Sequence, residues 1–88
     1  MLLKNFDIHQ QQCHYLFESS DRLVLSCTRA MYTFFKTDFQ LDQMFFLKKP
    51  DQFVNDFLEI DDKEAVVCID ESIIGVCDVK NGESLKYL

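Results

Sequence analysis

The hydrophobic period changes once along this chain, at Asp61-Asp62-Lys63. Before that point apolar residues recur every third or fourth position, and after it they run in short extended blocks. Residues three and four apart share a helix face, whereas alternate residues share a strand face. The chain has 88 residues, room for one domain and no second core. The expectation is an α+β protein, with 1–88 a single domain. A helical N-terminal two-thirds would pack on a C-terminal three-stranded antiparallel meander.

The helices are expected at about 3–18, 21–36, 39–48 and 50–59. Over 3–18, Lys4, Asp7, Gln11, His14 and Glu18 form a polar stripe opposite Leu3, Phe6, Gln10, Cys13 and Phe17. Ser19-Ser20-Asp21 ends that helix and caps the next. Over 21–36 the polar stripe is Arg22, Ser26, Arg29, Thr33 and Lys36, and Leu23-Val24-Leu25 breaks the alternation a strand needs. Val24, Thr28, Tyr32 and Phe35 are poor helix formers, so burial would have to hold this helix. Thr37-Asp38 caps 39–48, although Phe39, Leu41, Phe45 and Leu47 also alternate. Pro50 suits the first turn of 50–59, where Phe53, Val54, Phe57 and Leu58 make the apolar face. Only two glycines and one proline are present, which argues against a loop-rich fold. The alternative rests on the β-forming run Cys13–Phe17: an N-terminal β-hairpin 13–18/22–28 joining a five-stranded sheet.

The strands are expected at 65–69, 73–79 and 84–88. Asn81-Gly82 supplies a two-residue type I′ turn, which pairs Asp78 with Leu85 and Val76 with Tyr87. One face then carries Ile74, Val76, Asp78, Leu85 and Tyr87, and the other Ile73, Gly75, Cys77, Val79, Ser84, Lys86 and Leu88. Neither is plainly polar, whereas a sheet with one wet face alternates. One face would lie under the helices and the other under a second subunit or partner.

The charge is uneven. Residues 51–83 carry ten acids and two bases, a net of −8 that the rest of the chain offsets to the formal net charge of −6. Such a field repels phosphate, so direct nucleic-acid binding and anionic membrane surfaces are rejected. No apolar run is long enough for a membrane helix. Met1–Asp7 does not read as a signal peptide, so a cytoplasmic location is expected.

Chemistry-bearing patterns are sparse. His9 and Cys13 are four apart, but a metal site needs three or four ligands and nothing nearby completes this one. Cys68 and Cys77 bracket a hairpin. With Cys68 across from Gly75 they lie on a diagonal of about 7 Å, long for a disulfide. The four cysteines are expected to be reduced core residues. Two glycines cannot build a phosphate loop, and adjacent acids are not a general acid–base pair without a pocket. No enzymatic activity, cofactor or metal is expected.

The reading that follows is a small acidic protein-protein interaction module that binds or inhibits a basic partner protein, of the inhibitor, immunity, chaperone or phage anti-defence type. Its partner-binding candidates are Asp56, Glu59, Asp61, Asp62, Asp70 and Glu71. The alternatives are a homo-oligomeric structural domain, such as a homodimer, and a small Cys/His metal or redox protein.

Overall fold

A computed structural model describes residues 12–70, 72–80 and 85–88. Within them the protein is all-β, and no helix is present among the described residues. The strands are β1 (Cys13–Glu18), β2 (Arg22–Cys27), β3 (Ala30–Phe35), β4 (Leu41–Phe46), β5 (Val54–Glu59), β6 (Glu64–Ile69), β7 (Ile73–Asp78) and β8 (Lys86–Tyr87). They form two antiparallel four-stranded sheets in chain order, β1-β2-β3-β4 and β5-β6-β7-β8.

The sheets share one interior. Val24, Met31 and Phe45 of the first meet Val54, Ala65, Val67, Ile69 and Cys77 of the second. Ser26 donates its hydroxyl to the carbonyl of Val54 at 2.5 Å, linking the two sheets inside the core. Pro50 and Asp51 turn the chain from one sheet to the other, with the Gln52 N–H donated to the Lys49 carbonyl at 3.2 Å. Pro at the second position of such a turn has its φ already set.

The expected α+β class is therefore corrected, together with all four helices. Residues 3–11 of the first lie outside the described residues, and its remainder contains β1. The helix over 21–36 is the hairpin β2–β3, that over 39–48 contains β4, and that over 50–59 contains β5. The strands of the alternative hairpin 13–18/22–28 are present as β1 and β2. They belong to a sheet of their own, not to a five-stranded sheet with the C-terminal strands.

Two physical causes account for the false helical period. The first is burial on both faces of the first sheet. Val24 and Met31 face the interior, while Leu25, Cys27, Ala30, Tyr32 and Phe34 form a second buried cluster on the opposite side. A strand covered on both sides loses its alternation, hence Leu23-Val24-Leu25. The second cause is three β-bulges. The register skips His14 in β1, Asp42 in β4 and Asn55 in β5. Each extra residue reverses the inward and outward order beyond it. Val54 and Phe57, three apart, thereby both join the core and imitate a helix face.

The C-terminal strands pair one residue away from the expected register. Gly75 lies opposite Tyr87 and Val76 opposite Lys86, while Cys68 lies opposite Ile74 and Cys77 opposite Ala65. A shift of one changes which residues of two strands share a face. Tyr87 therefore joins Ile73, Gly75 and Cys77 on the inner side, and Lys86 joins Ile74, Val76 and Asp78 outside. Gly75 allows this close approach, because a Cβ there would stand 2.8 Å from Leu85 Cδ1. The Asn81-Gly82 turn and Ser84 lie outside the described residues.

No helix of the structure is long and apolar enough to cross a membrane, among the residues described.

Candidate functional site

The outward face of the second sheet is a grid of three rows. Asp56, Cys68, Ile74 and Leu88 form one, since Asp56 pairs with Cys68, Cys68 with Ile74, and the Leu88 N–H donates to the Ile74 carbonyl at 2.8 Å. Leu58, Val66, Val76 and Lys86 form the next. Ile60, Glu64 and Asp78 form the third, with the Ile60 N–H donated to the Glu64 carbonyl. The centre of the grid is apolar. Leu58 is 63% exposed, Ile60 55% and Ile74 45%, while Val66, Cys68 and Val76 are half-buried. Asp56 stands at one margin and Glu64 and Asp78 at another.

Apolar side chains occupy this outward face because the chain makes most of both sets of alternate positions in β6 and β7 apolar. Ala65, Val67 and Ile69 fill the interior, leaving Val66 and Cys68 outside. The outward face of the first sheet is apolar as well. There, however, Phe34 and Cys27 are inaccessible and Tyr32 and Leu25 nearly so, leaving the flanking Leu16, Leu41, Met44 and Phe46 exposed. The second sheet keeps its apolar centre open to solvent.

The structure disperses the acids singled out from the sequence. Asp56 lies on the grid and accepts the Phe57 N–H at 2.9 Å. Glu59 turns away from it, accepting the N–H and hydroxyl of Ser20, both at 3.0 Å, and so ties β5 to the β1–β2 turn. Asp61 accepts the backbone N–H groups of Lys63 and Glu64, both at 2.8 Å, in the β5–β6 turn. These bonds, Glu64's foremost, hold its carboxyl below the usual carboxylate range. Asp62 is exposed in the same turn. Asp70 lies at the opposite end of β6, about 17 Å away at 3.4 Å per residue, with φ of 58°. Its carboxylate accepts the Gln52 amide at 3.4 Å and its carbonyl accepts the Asn55 amide at 3.0 Å. Glu71 lies outside the described residues. Asp61 and Asp62 thus share one turn, and Asp56 and Asp70 stand apart from them.

Comparison of the chain with protein-family models, curated proteins and solved structures finds no match. The geometry alone carries the functional argument.

No group of three or more His, Cys, Asp or Glu side chains is placed to hold a metal ion among the described residues. His9 lies outside them. His14 Nε2 is hydrogen-bonded to Thr28 Oγ1 at 2.8 Å, and its ring stacks on Phe53 at 3.8 Å. Cys68 and Cys77 point to opposite sides of their sheet, so these two sulfurs do not meet. Burial, followed by the charge of Asp78, pushes the Cys77 thiol up to about 12. Sequence reasoning passed over Leu58, Ile60, Val66 and Val76 as contact residues, although the lack of a polar face in the C-terminal strands was their signal.

Proposed function

We propose that the protein is a small acidic protein-protein interaction module that docks on a basic partner protein, in the manner of an inhibitor, immunity, chaperone or phage anti-defence protein. The observation that supports this reading is the exposed apolar grid of the second sheet, with carboxylates at its margins. Large exposed apolar patches with polar rims mark binding surfaces. The apolar centre supplies affinity and the acids supply orientation and on-rate. Asp56, Glu64 and Asp78 contact the partner's basic groups at the rim, with Asp61 and Asp62 extending the field past the β5–β6 turn. A reducing, cytoplasmic setting suits four free cysteines.

The test is capture from lysate of the source cell, comparing the unaltered chain with Leu58→Asp/Val76→Asp and with Asp56→Asn/Glu64→Gln. The expected result is a basic protein retained by the unaltered chain, lost with the first variant, and weakened by the second or by salt. A retained protein indifferent to both variants would overturn the reading. Sedimentation at micromolar concentration addresses the rival occupant, a second copy. Two such faces would bring the same acids together, and a monomer is expected.

A further inference from the structure

Cys13 and Cys27 face each other across β1 and β2. They are direct partners in the register, and their sulfurs stand 3.5 Å apart. The neighbouring pair, Gln12 and Thr28, carries a backbone bond, Thr28 N–H to Gln12 carbonyl at 2.9 Å. In an antiparallel ladder bonded and non-bonded pairs alternate, so Cys13 and Cys27 occupy a non-hydrogen-bonded pair, where Cα atoms are about 4.5 Å apart. That lies within the span a disulfide bridges, about 4.4–6.8 Å. Cys13 is exposed and Cys27 wholly buried. One sulfur is open to a reagent and the other waits behind it. The bulge at His14, immediately beyond Cys13, lets β1 adjust over the remaining distance, and β1 is the outermost strand of its sheet among the described residues.

We infer that Cys13 and Cys27 form an oxidative modification site, a dithiol that small-molecule disulfides convert into a cross-strand disulfide. The Cys13 thiolate attacks one sulfur of the reagent, forming a mixed disulfide and displacing the other half as a thiolate. The Cys27 sulfur then attacks the Cys13 sulfur and displaces the second half. Two protein thiols lose two electrons and two protons; the small disulfide gains them and leaves as two thiols. Burial, then the bond and charge of Cys13, push the Cys27 thiol up to about 12. The second step is therefore the slow one, and Cys13 is the point of entry. The disulfide closes the 15 residues from Cys13 to Cys27 and fastens β1 to β2.

Neither residue belongs to the proposed docking face, so this site stands or falls independently of it. The test places the reduced full chain in glutathione buffers of graded oxidised fraction and measures thiols under denaturant, intact mass, peptide linkage and thermal midpoint. The expected result is a fall from four thiols to two, loss of two hydrogens, a Cys13–Cys27 linked peptide, and a midpoint raised by roughly 10 °C or more. Reductant should reverse all four. Cys13→Ser should keep its remaining thiols and gain no midpoint, whereas Cys68→Ser should behave as the unaltered chain. Retention of all four thiols, arrest at a glutathione adduct, linkage between two chains, or a link through Cys68 or Cys77 would each overturn the inference.

Discussion

Arg22 Nε donates to Asp42 Oδ2 at 2.7 Å, and Asp42 is the residue by which β4 bulges. The same carboxylate oxygen receives the Thr33 hydroxyl at 3.4 Å. The other two bulge residues behave alike: His14 bonds Thr28, and Asn55 bonds the Asp70 carbonyl. At each site the irregularity turns a polar side chain toward a partner that a regular strand would not give it.

The Arg22–Asp42 pair lies mostly out of water, with side chains 13% and 11% exposed. Burial alone would lower the Arg22 pKa, but hydrogen bonding and the charge of Asp42, with Asp21, raise it. Asp42→Ala leaves the guanidinium only the exposed Asp21, 2.7 Å from its Nη1, and should cost up to about 3 kcal/mol. Arg22→Met/Asp42→Leu should recover most of that loss. Urea unfolding at unchanged slope measures both.

Gln52 joins the crossover to the last strand. It is nearly inaccessible, and its Oε1 accepts the Tyr87 hydroxyl at 2.9 Å. That hydroxyl in turn accepts the Lys48 N–H at 3.0 Å. Tyr87→Phe removes two bonds and little volume, and should lower stability by about 1–2 kcal/mol. A loss under 0.5 kcal/mol in chemical denaturation would show that water replaces the hydroxyl.

Asp61 gives the acid limb a defined sign. Its folded pKa is depressed, so its stabilisation is present above the ordinary value of 3.8 and lost as pH falls through the lowered one. Asp61→Ala should therefore reduce the thermal midpoint near neutrality, and the gap to the unaltered chain should narrow as pH falls below the ordinary 3.8 and through the lowered folded value. A gap constant from pH 7 to pH 2 would refute the assignment.

Arg29 adopts a φ of 74° in the β2–β3 turn and is exposed. A side chain in that region costs energy that glycine avoids. Arg29→Gly should raise stability by about 0.5–1 kcal/mol, after allowance for the added freedom of the unfolded chain. Thermal unfolding would read this as a higher midpoint.

The same residue explains much of what the sequence concealed. The turns at Arg29, Phe39 and Asp70 all adopt positive φ without glycine. The β2–β3 turn is held from outside, by Arg29 N–H to the Gln52 carbonyl and Leu47 N–H to the Arg29 carbonyl. Scarcity of glycine therefore said nothing about the number of turns. The polar stripe Arg22, Ser26 and Thr33 was real, but it marks inward-facing groups with buried partners, not a solvated helix face. The β-forming content of Val24, Tyr32 and Phe35 was the better guide. The strands β6 and β7 were legible because no bulge interrupts their pairing. The apolar grid was legible as a sheet without a polar face. The Cys13–Cys27 pair was hidden, because it depends on a register that only the folded β1–β2 ladder defines.

Each sheet is built wholly from consecutive strands, and the chain passes between them once, over residues 47–53. Every strand pairing therefore closes a short loop, so its entropic cost is small. Bringing the two sheets together is the one long-range step. Such a chain is divisible: cut within 47–53, its two halves each retain a full set of hairpin pairings and lack only the other's apolar face, so reassembly of the fragments becomes a bimolecular version of the final folding event.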